Sequence, residues 1–437
     1  VDRTAPLIAR HFPGSDSELR IDGVPVREVA ERFGTPFYVY SESVMDEKWA
    51  ALRGALPPEF SIYYSVKANP NEAILRHFLA KGCGLEVASA GELGRAIEAG
   101  CPPKRILFAG PGKTEAELEH ALRADVGEIH VESAREAERI STLARRLQIR
   151  ARAALRINPA AEAQGGAMRM GGKPAPFGVD EESLEPVLDL LLADPAIEFR
   201  GLHLFTGTQI LDHAVLIGQY RHALGLARRV AQRIGRPLAT LDLGGGLGIP
   251  YFPGETVFDI EGLSVGLAAL MAEVRDDPWL VGTRYVVEPG RYLVGEAGIY
   301  VARVTDVKVS RGKTFVVLDG GLNHHLAASG NLGQVIKRNF PIALVNRLDE
   351  APVGPADVVG PLCTPLDTLA RELRLPGARV GDLIGVFQSG AYGLTASPIE
   401  FLGHPAPAEV LAGRGRLRLI RARGGHSEGA LSPVVAS

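Results

Sequence analysis

The chain has 437 residues, 46% hydrophobic and 23% charged, with 48 basic against 51 acidic side chains for a net charge of −3. That length asks for two domains, and the near balance of charge offers no handle to nucleic acid or an anionic membrane. Three widely spaced cysteines, Cys83, Cys101 and Cys363, exclude a disulfide framework and a CxxC zinc site and fit a reducing compartment.

Residues Val1–Pro6 lack a secretory pattern and no run is long enough to span a bilayer, so a cytoplasmic protein is expected. Residues 20–40 read as short strands around a small helix, and Ser41-Glu42-Ser43 opens a longer one. From residue 61 a rhythm sets in. Short apolar strands are expected at 63–67, 85–89, 106–109, 129–132, 153–157, 201–205, 241–244 and 285–288. Amphipathic helices alternate with them, at 90–99, 115–124, 134–147 and 214–234 among others. Strands alternating with helices imply a parallel sheet, and eight such units close an α/β barrel of the (β/α)8 type. An open doubly wound sheet is the alternative. Residues 159–183, with paired glycines and two prolines, read as a long loop.

Beyond residue 298 strands follow one another without long helices, at 299–309, 314–319, 384–388 and 416–420, which predicts a mostly antiparallel β-domain. The expected division is a barrel over 36–298 and a β-domain from 1–35 and 299–437. The last stretch, 424–437, is small and polar and is expected to fray.

A barrel carries its chemistry at the C-terminal ends of its strands. Read off in order, those ends present Lys67, Glu86, Arg156, Phe205 to Gln209, the loop Gly244-Gly245-Gly246-Leu247-Gly248, and Glu288-Pro289-Gly290-Arg291. A lysine at such a rim can lose its proton on burial and form a Schiff base, whereas an isolated lysine at a strand edge merely snorkels. The glycine loop bares backbone N–H groups for a phosphate, but it is neither GxGxxG nor a P-loop, and a tight turn alone would also need glycines. A lysine, a phosphate cradle and a carboxylate on one rim match pyridoxal 5′-phosphate: Lys67 takes the aldehyde and Glu288 keeps the pyridine nitrogen protonated. Asn323-His324-His325 invites a metal reading, but neighbouring strand residues face opposite ways, so no metal site is expected and one histidine is assigned to the substrate edge, His325.

The motifs Tyr64-Ser65-Val66-Lys67-Ala68-Asn69, Gly91-Glu92-Leu93, Gly244–Gly248, Glu288-Pro289-Gly290-Arg291, Gly360-Pro361-Leu362-Cys363 and Gly390-Ala391-Tyr392 resemble those of one family. They are similar to the fold-type III pyridoxal-phosphate decarboxylases, the diaminopimelate and ornithine decarboxylase group, in the right order from about residue 20 to 410. The resemblance implies the alanine racemase/decarboxylase type of fold and a homodimer whose sites the partner subunit completes. It makes Lys67 the Schiff-base lysine and Glu288 the carboxylate at the ring nitrogen. Thr208, Gly245, Gly246 and Arg291 fall on the phosphate side, with Arg291 also toward substrate. Cys363, Asp367 and Tyr392 reach the partner's site or the phosphate, with Cys363 the acid that returns a proton.

Two departures stand out. The family's ring-stacking histidine is replaced by Phe205, with His203 two residues earlier; a phenylalanine stacks but exchanges no proton. Diaminopimelate enzymes carry a glutamate after the cysteine and ornithine enzymes an aspartate, where this chain has Thr364 and keeps only Asp367. Such departures resemble members acting on carrier-protein-tethered amino acids or natural-product precursors. The expected activity is thus decarboxylation of an amino acid or its derivative. The alternatives are an ordinary diaminopimelate decarboxylase of lysine biosynthesis, a racemase of the same fold, or a non-catalytic cofactor carrier.

Overall fold

The computed structural model describes residues 3–160, 168–169 and 174–424. The chain divides into two compact units, one of Val1–Lys48, Tyr251–Glu255 and Leu293–Ser437, the other of Trp49–Pro250 and Thr256–Tyr292. Much of the stretch 159–183, expected as a loop, and the tail after residue 424 lie outside the described residues.

The second unit is a closed parallel barrel of eight strands. These are β1 (Phe60–Ser65), β2 (Gly84–Val87), β3 (Ile106–Phe108), β4 (Glu128–Val131), β5 (Ala151–Asn158), β6 (Ile197–Leu204), β7 (Thr240–Asp242) and β8 (Arg284–Val287). Every neighbouring pair runs parallel, β8 pairs back to β1, and β4 pairs with β5, so the ring has no edge. All eight expected strands appear, with ends shifted by a few residues. Val179–Asp180 adds a short parallel strand beside β5.

Local chemistry sets the helix starts between strands. Ser89 caps the helix Ala90–Glu98 by accepting from the Glu92 N–H, and Ser133 caps Ala134–Leu147 through the Glu136 N–H. Thr114 and Glu117 form a reciprocal capping box at Glu115–Arg123. Inside the barrel Tyr63, Leu107 and Val286 pack together, fully buried. Gly84 is required there, because a Cβ would lie 2.3 Å from the Tyr63 ring.

The first unit carries a mixed, largely antiparallel sheet. Its long strand Gly298–Ser310 pairs antiparallel with Lys313–Leu318, Leu383–Val386 and Phe37–Ser41. Two pairings are parallel, Lys313–Leu318 with Gly354–Val359 and Phe37–Ser41 with Ala408–Gly413. Phe37–Ser41, a strand within the range 36–298 assigned to the barrel, belongs to this sheet, in the unit that includes Val1–Lys48. Helices Thr4–His11 and Val26–Phe33 precede it, the first unforeseen. No helix among the described residues is long and apolar enough to cross a membrane.

Candidate active site

At the C-terminal end of β1 the chain turns into a single 3-10 turn, Val66–Ala68, so Lys67 sits just past the strand rather than at its last residue. Its side chain is 45% exposed, and Nζ lies 3.1 Å from Glu86 Oε2 and 3.2 Å from Oε1. Glu86, buried on β2 opposite Ser65, is fixed by the Ser65 hydroxyl, which donates to Oε2 at 2.5 Å. The turn also packs on the loop after β8: the Ser65 N–H donates to the Pro289 carbonyl, and a Cβ on Gly290 would meet Ala68.

Glu288 follows β8 and is buried. Its N–H donates to the Gly244 carbonyl at 2.8 Å, and its Oε1 is buried with no hydrogen-bond partner. The glycine loop lies against it, where a Cβ on Gly245 would stand 2.5 Å from the Glu288 carbonyl and one on Gly246 would press on the Gly207 carbonyl. Gly244 and Gly246 both have positive φ, the conformation of an anion-cradling backbone nest. Segment 207–210 laces onto this loop, since the Ile210 N–H donates to Gly246 and the Gly248 N–H to Ile210. Thr208, half-buried, lies in this segment. Arg291, also half-buried, opens the turn Arg291–Val294.

Phe205 follows β6 directly and lies beside the loop, its ring 2.9 Å from where a Gly244 Cβ would be. His203 is buried in the barrel, with Nε2 3.5 Å from Glu288 Oε2. Arg156 on β5 is held by Glu132 Oε1 at 2.6 Å and lies over the Phe177 ring. Glu132, unsuspected from sequence, also accepts from the Gly110 and Gly178 N–H groups and so ties three loops of the rim together. His130 and Asp242 were equally unsuspected. The one signal for them is polarity within short apolar strands, Asp242 just before the glycine loop.

The other expected residues lie in the first unit. Cys363 is exposed, Thr364 half-buried and Tyr392 half-buried with positive φ. Two residues expected at the substrate edge are buried. His325 is fully buried among Tyr38, Tyr300 and Phe340, with Nε2 2.8 Å from the Ser389 hydroxyl, and burial pulls its pKa down to about 3. It lies outside helix and strand, as a loop reading expects, and packs in the core of the first unit. Asp367 is buried too, its Oδ1 accepting from the Leu322 N–H at 2.6 Å and Oδ2 from the Leu362 N–H at 2.9 Å. Its carboxylate braces the turn that displays Cys363.

One barrel rim thus brings together a lysine on a carboxylate, a glycine loop with positive φ at Gly244 and Gly246, and a buried carboxylate oxygen without a partner. The free Glu288 Oε1 and the cradle that a Cβ would fill both suit pyridoxal phosphate. Residues 42–295 match the family model for the pyridoxal-binding domain of pyridoxal-dependent decarboxylases. The chain is 38% identical over 409 residues to the L-glutamyl-[BtrI acyl-carrier protein] decarboxylase of Niallia circulans, covering 93% of this chain and 95% of that protein. It is 34% identical to the diaminopimelate decarboxylase of Aquifex aeolicus over 93% and 94% of the two chains. Its fold superimposes on the diaminopimelate decarboxylase of M. jannaschii crystallised with L-lysine at a TM-score of 0.86 and 29% identity, covering 93% of this chain and 94% of that one. The chain belongs to the fold-type III pyridoxal-dependent decarboxylases. It is a carboxy-lyase that uses pyridoxal 5′-phosphate to decarboxylate an amino acid or amino-acid derivative.

Proposed function

We propose that the substrate is an amino acid whose far end carries no free ammonium group because it is joined to a carrier protein. One observation supports this most: among Cys363, Thr364, Pro365, Leu366 and Asp367, the only carboxylate is Asp367, and it is buried on two backbone N–H groups. A distal ammonium brought to this turn would find the neutral Thr364 hydroxyl and no counter-charge, which is costly away from water. The similarity to a decarboxylase named for a glutamyl carrier protein points the same way.

In this reading Lys67 would hold the cofactor through its aldehyde, and Glu86, whose Oε2 lies 3.1 Å from the Lys67 amine, would orient that amine. Gly245, Gly246, Thr208 and Arg291 would hold the phosphate, Phe205 would lie against the ring, and Glu288 would serve the ring nitrogen. Bound there, pyridoxal phosphate supplies an electron-poor ring that accepts the pair left when carbon dioxide departs. The proton that replaces the carboxylate on the α-carbon comes from Cys363 of a second copy, so the working enzyme is a homodimer. Arg156, clamped by Glu132, would shape the barrel side of the cofactor site.

The test is intact mass spectrometry of an acyl-carrier protein loaded with glutamate, aspartate or other amino acids, incubated with the holoenzyme. Loss of carbon dioxide from a loaded carrier at a kcat/KM well above that of free diaminopimelate is the expected result. Turnover of free diaminopimelate alone makes it an ordinary lysine-pathway enzyme.

A further inference from the structure

Beneath Glu288, four titratable side chains meet inside the barrel. His130 from β4, His203 from β6, Asp242 from β7 and Glu288 offer ligand atoms that all lie within 4.8 Å of one another, and all four residues are buried. His203 Nε2 faces Glu288 Oε2 at 3.5 Å and His130 Nε2 faces Asp242 Oδ2 at 3.8 Å, while the imidazole centroids are 4.3 Å apart. Asp242 Oδ1 accepts from the Gly244 N–H at 2.8 Å. Asp242 Oδ2, Glu288 Oε1 and both nitrogens of each histidine have no hydrogen-bond partner.

Such a cluster cannot hold two full negative charges. Two ionised carboxylates this close and away from water repel strongly, so a proton stays between them. The histidines are poor homes for it, because burial holds His203 near a pKa of about 3 and His130 well below the ordinary range. Burial, then the neighbouring Glu288, push Asp242 well above the usual carboxylate range. The other charges that reach the cluster are Lys67, Glu86, Lys113, Glu128, Glu132 and Arg156, three positive and three negative. They leave the local balance with Glu288 and Asp242.

We propose that Asp242 is a positioning residue kept as a neutral carboxylic acid, which donates its proton toward Glu288 so that Glu288 stays ionised and keeps Oε1 turned to the cofactor's ring nitrogen. The inference rests on the assignment of Glu288 to that nitrogen. Asp242 touches neither cofactor nor substrate; it acts through Glu288. Its place two residues before Gly244, with Oδ1 accepting from the Gly244 N–H, lets one side chain set both the anion cradle and the charge beside the ring.

The experiment is an infrared difference spectrum of the holoenzyme, wild type minus Asp242→Asn, in water and in heavy water. The expected result is a carbonyl-stretch band of a protonated carboxylic acid that moves in heavy water and is missing from the variant. Labelling wild-type aspartate with 13C at the side-chain carboxyl must shift the same band, which keeps the test valid should the variant fold poorly. Cofactor affinity gives an independent reading. Asp242→Asn, which retains a neutral donor, is expected within about threefold of the wild-type dissociation constant for pyridoxal phosphate, and Asp242→Ala about tenfold weaker or more. No isotope-sensitive acid band, or a stoichiometric metal ion found in the purified holoenzyme by elemental analysis, overturns the proposal. Glu288→Gln separates the two readings. If it leaves the cofactor absorbance unchanged while the Asp242 band persists, the assignment of Glu288 fails and the protonated aspartate stands.

Discussion

Glu86 receives Lys67 with both carboxylate oxygens, at 3.1 and 3.2 Å, and is itself pinned by the hydroxyl of Ser65, directly opposite it on the neighbouring strand. The lysine therefore has a fixed resting place for its amine on the barrel wall, supplied by residues paired across β1 and β2. Borohydride treatment of the holoenzyme is expected to fix the cofactor on the peptide containing Lys67. Lys67→Ala should lose activity by on the order of 10³-fold or more, and Glu86→Gln, which offers the amine a neutral amide, by about 10²-fold. Cofactor found on a different lysine removes the site assignment altogether.

Glu296 in the first unit makes a pH prediction. Burial works against its ionisation, but His11 at 3.8 Å and the Lys48 amine in direct contact overcome that and hold its pKa at about 2. A carboxylate whose pKa is lowered by folding stabilises fully above its unfolded value of about 4.3 and loses that contribution as pH falls toward 2. Glu296→Gln should therefore cost on the order of 3 kcal/mol at pH 7 and progressively less below pH ~4. Thermal melts of both proteins across pH read this directly, and a penalty independent of pH contradicts it.

Asp367 tests a brace against a substrate reader. Replacing it with alanine leaves the Leu322 and Leu362 N–H groups without an acceptor in a buried turn and should lower stability by about 1–3 kcal/mol per lost bond. Because the carboxylate faces inward, the loss in kcat/KM is expected to be alike for substrates with and without a distal charge. A loss confined to cationic substrates would return Asp367 to the substrate pocket.

The barrel was legible because its strands are short apolar runs and the helices between them repeat apolar residues at three and four positions, both local signals. The rim residues were legible because strand ends fall in sequence order. Partner choice was not legible: Phe37–Ser41 has the composition of any buried strand, and only contacts with residues near 300 and 410 place it in the other sheet. Side-chain direction in turns was not legible either. His325 and Asp367 look like polar loop residues, yet tertiary packing turns both inward. His130, Asp242 and Glu132 gain meaning only from residues up to about 160 positions away, a relation no spacing records.

Cys363 is exposed on its turn, as a residue that serves another copy's site would be. Cys363→Ala and Lys67→Ala, each nearly inactive, should recover activity when mixed under conditions of subunit exchange. Random pairing makes about half of the dimers mixed, each with one intact site, for roughly one quarter of wild-type activity. Absent recovery despite demonstrated exchange puts Cys363 in its own subunit's site or outside catalysis.

The far end of the substrate gives the sharpest test of specificity. Reading a buried ammonium takes a carboxylate, since an unpaired charge costs several kcal/mol or gives up its proton. The turn offers the Thr364 hydroxyl, Pro365 and the exposed Leu366 side chain, while Asp367 is spent on backbone. Free lysine, ornithine and meso-diaminopimelate should therefore be poor substrates, with kcat/KM about 10²-fold or more below that of an amino acid whose distal end is amidated, thioesterified or otherwise masked. Thr364→Glu should narrow that gap by restoring a carboxylate where the turn lacks one, raising diaminopimelate turnover and lowering that of the masked substrate. If meso-diaminopimelate is the best substrate of the unaltered enzyme, the missing carboxylate beside Cys363 does not set specificity, and the ammonium is read from elsewhere.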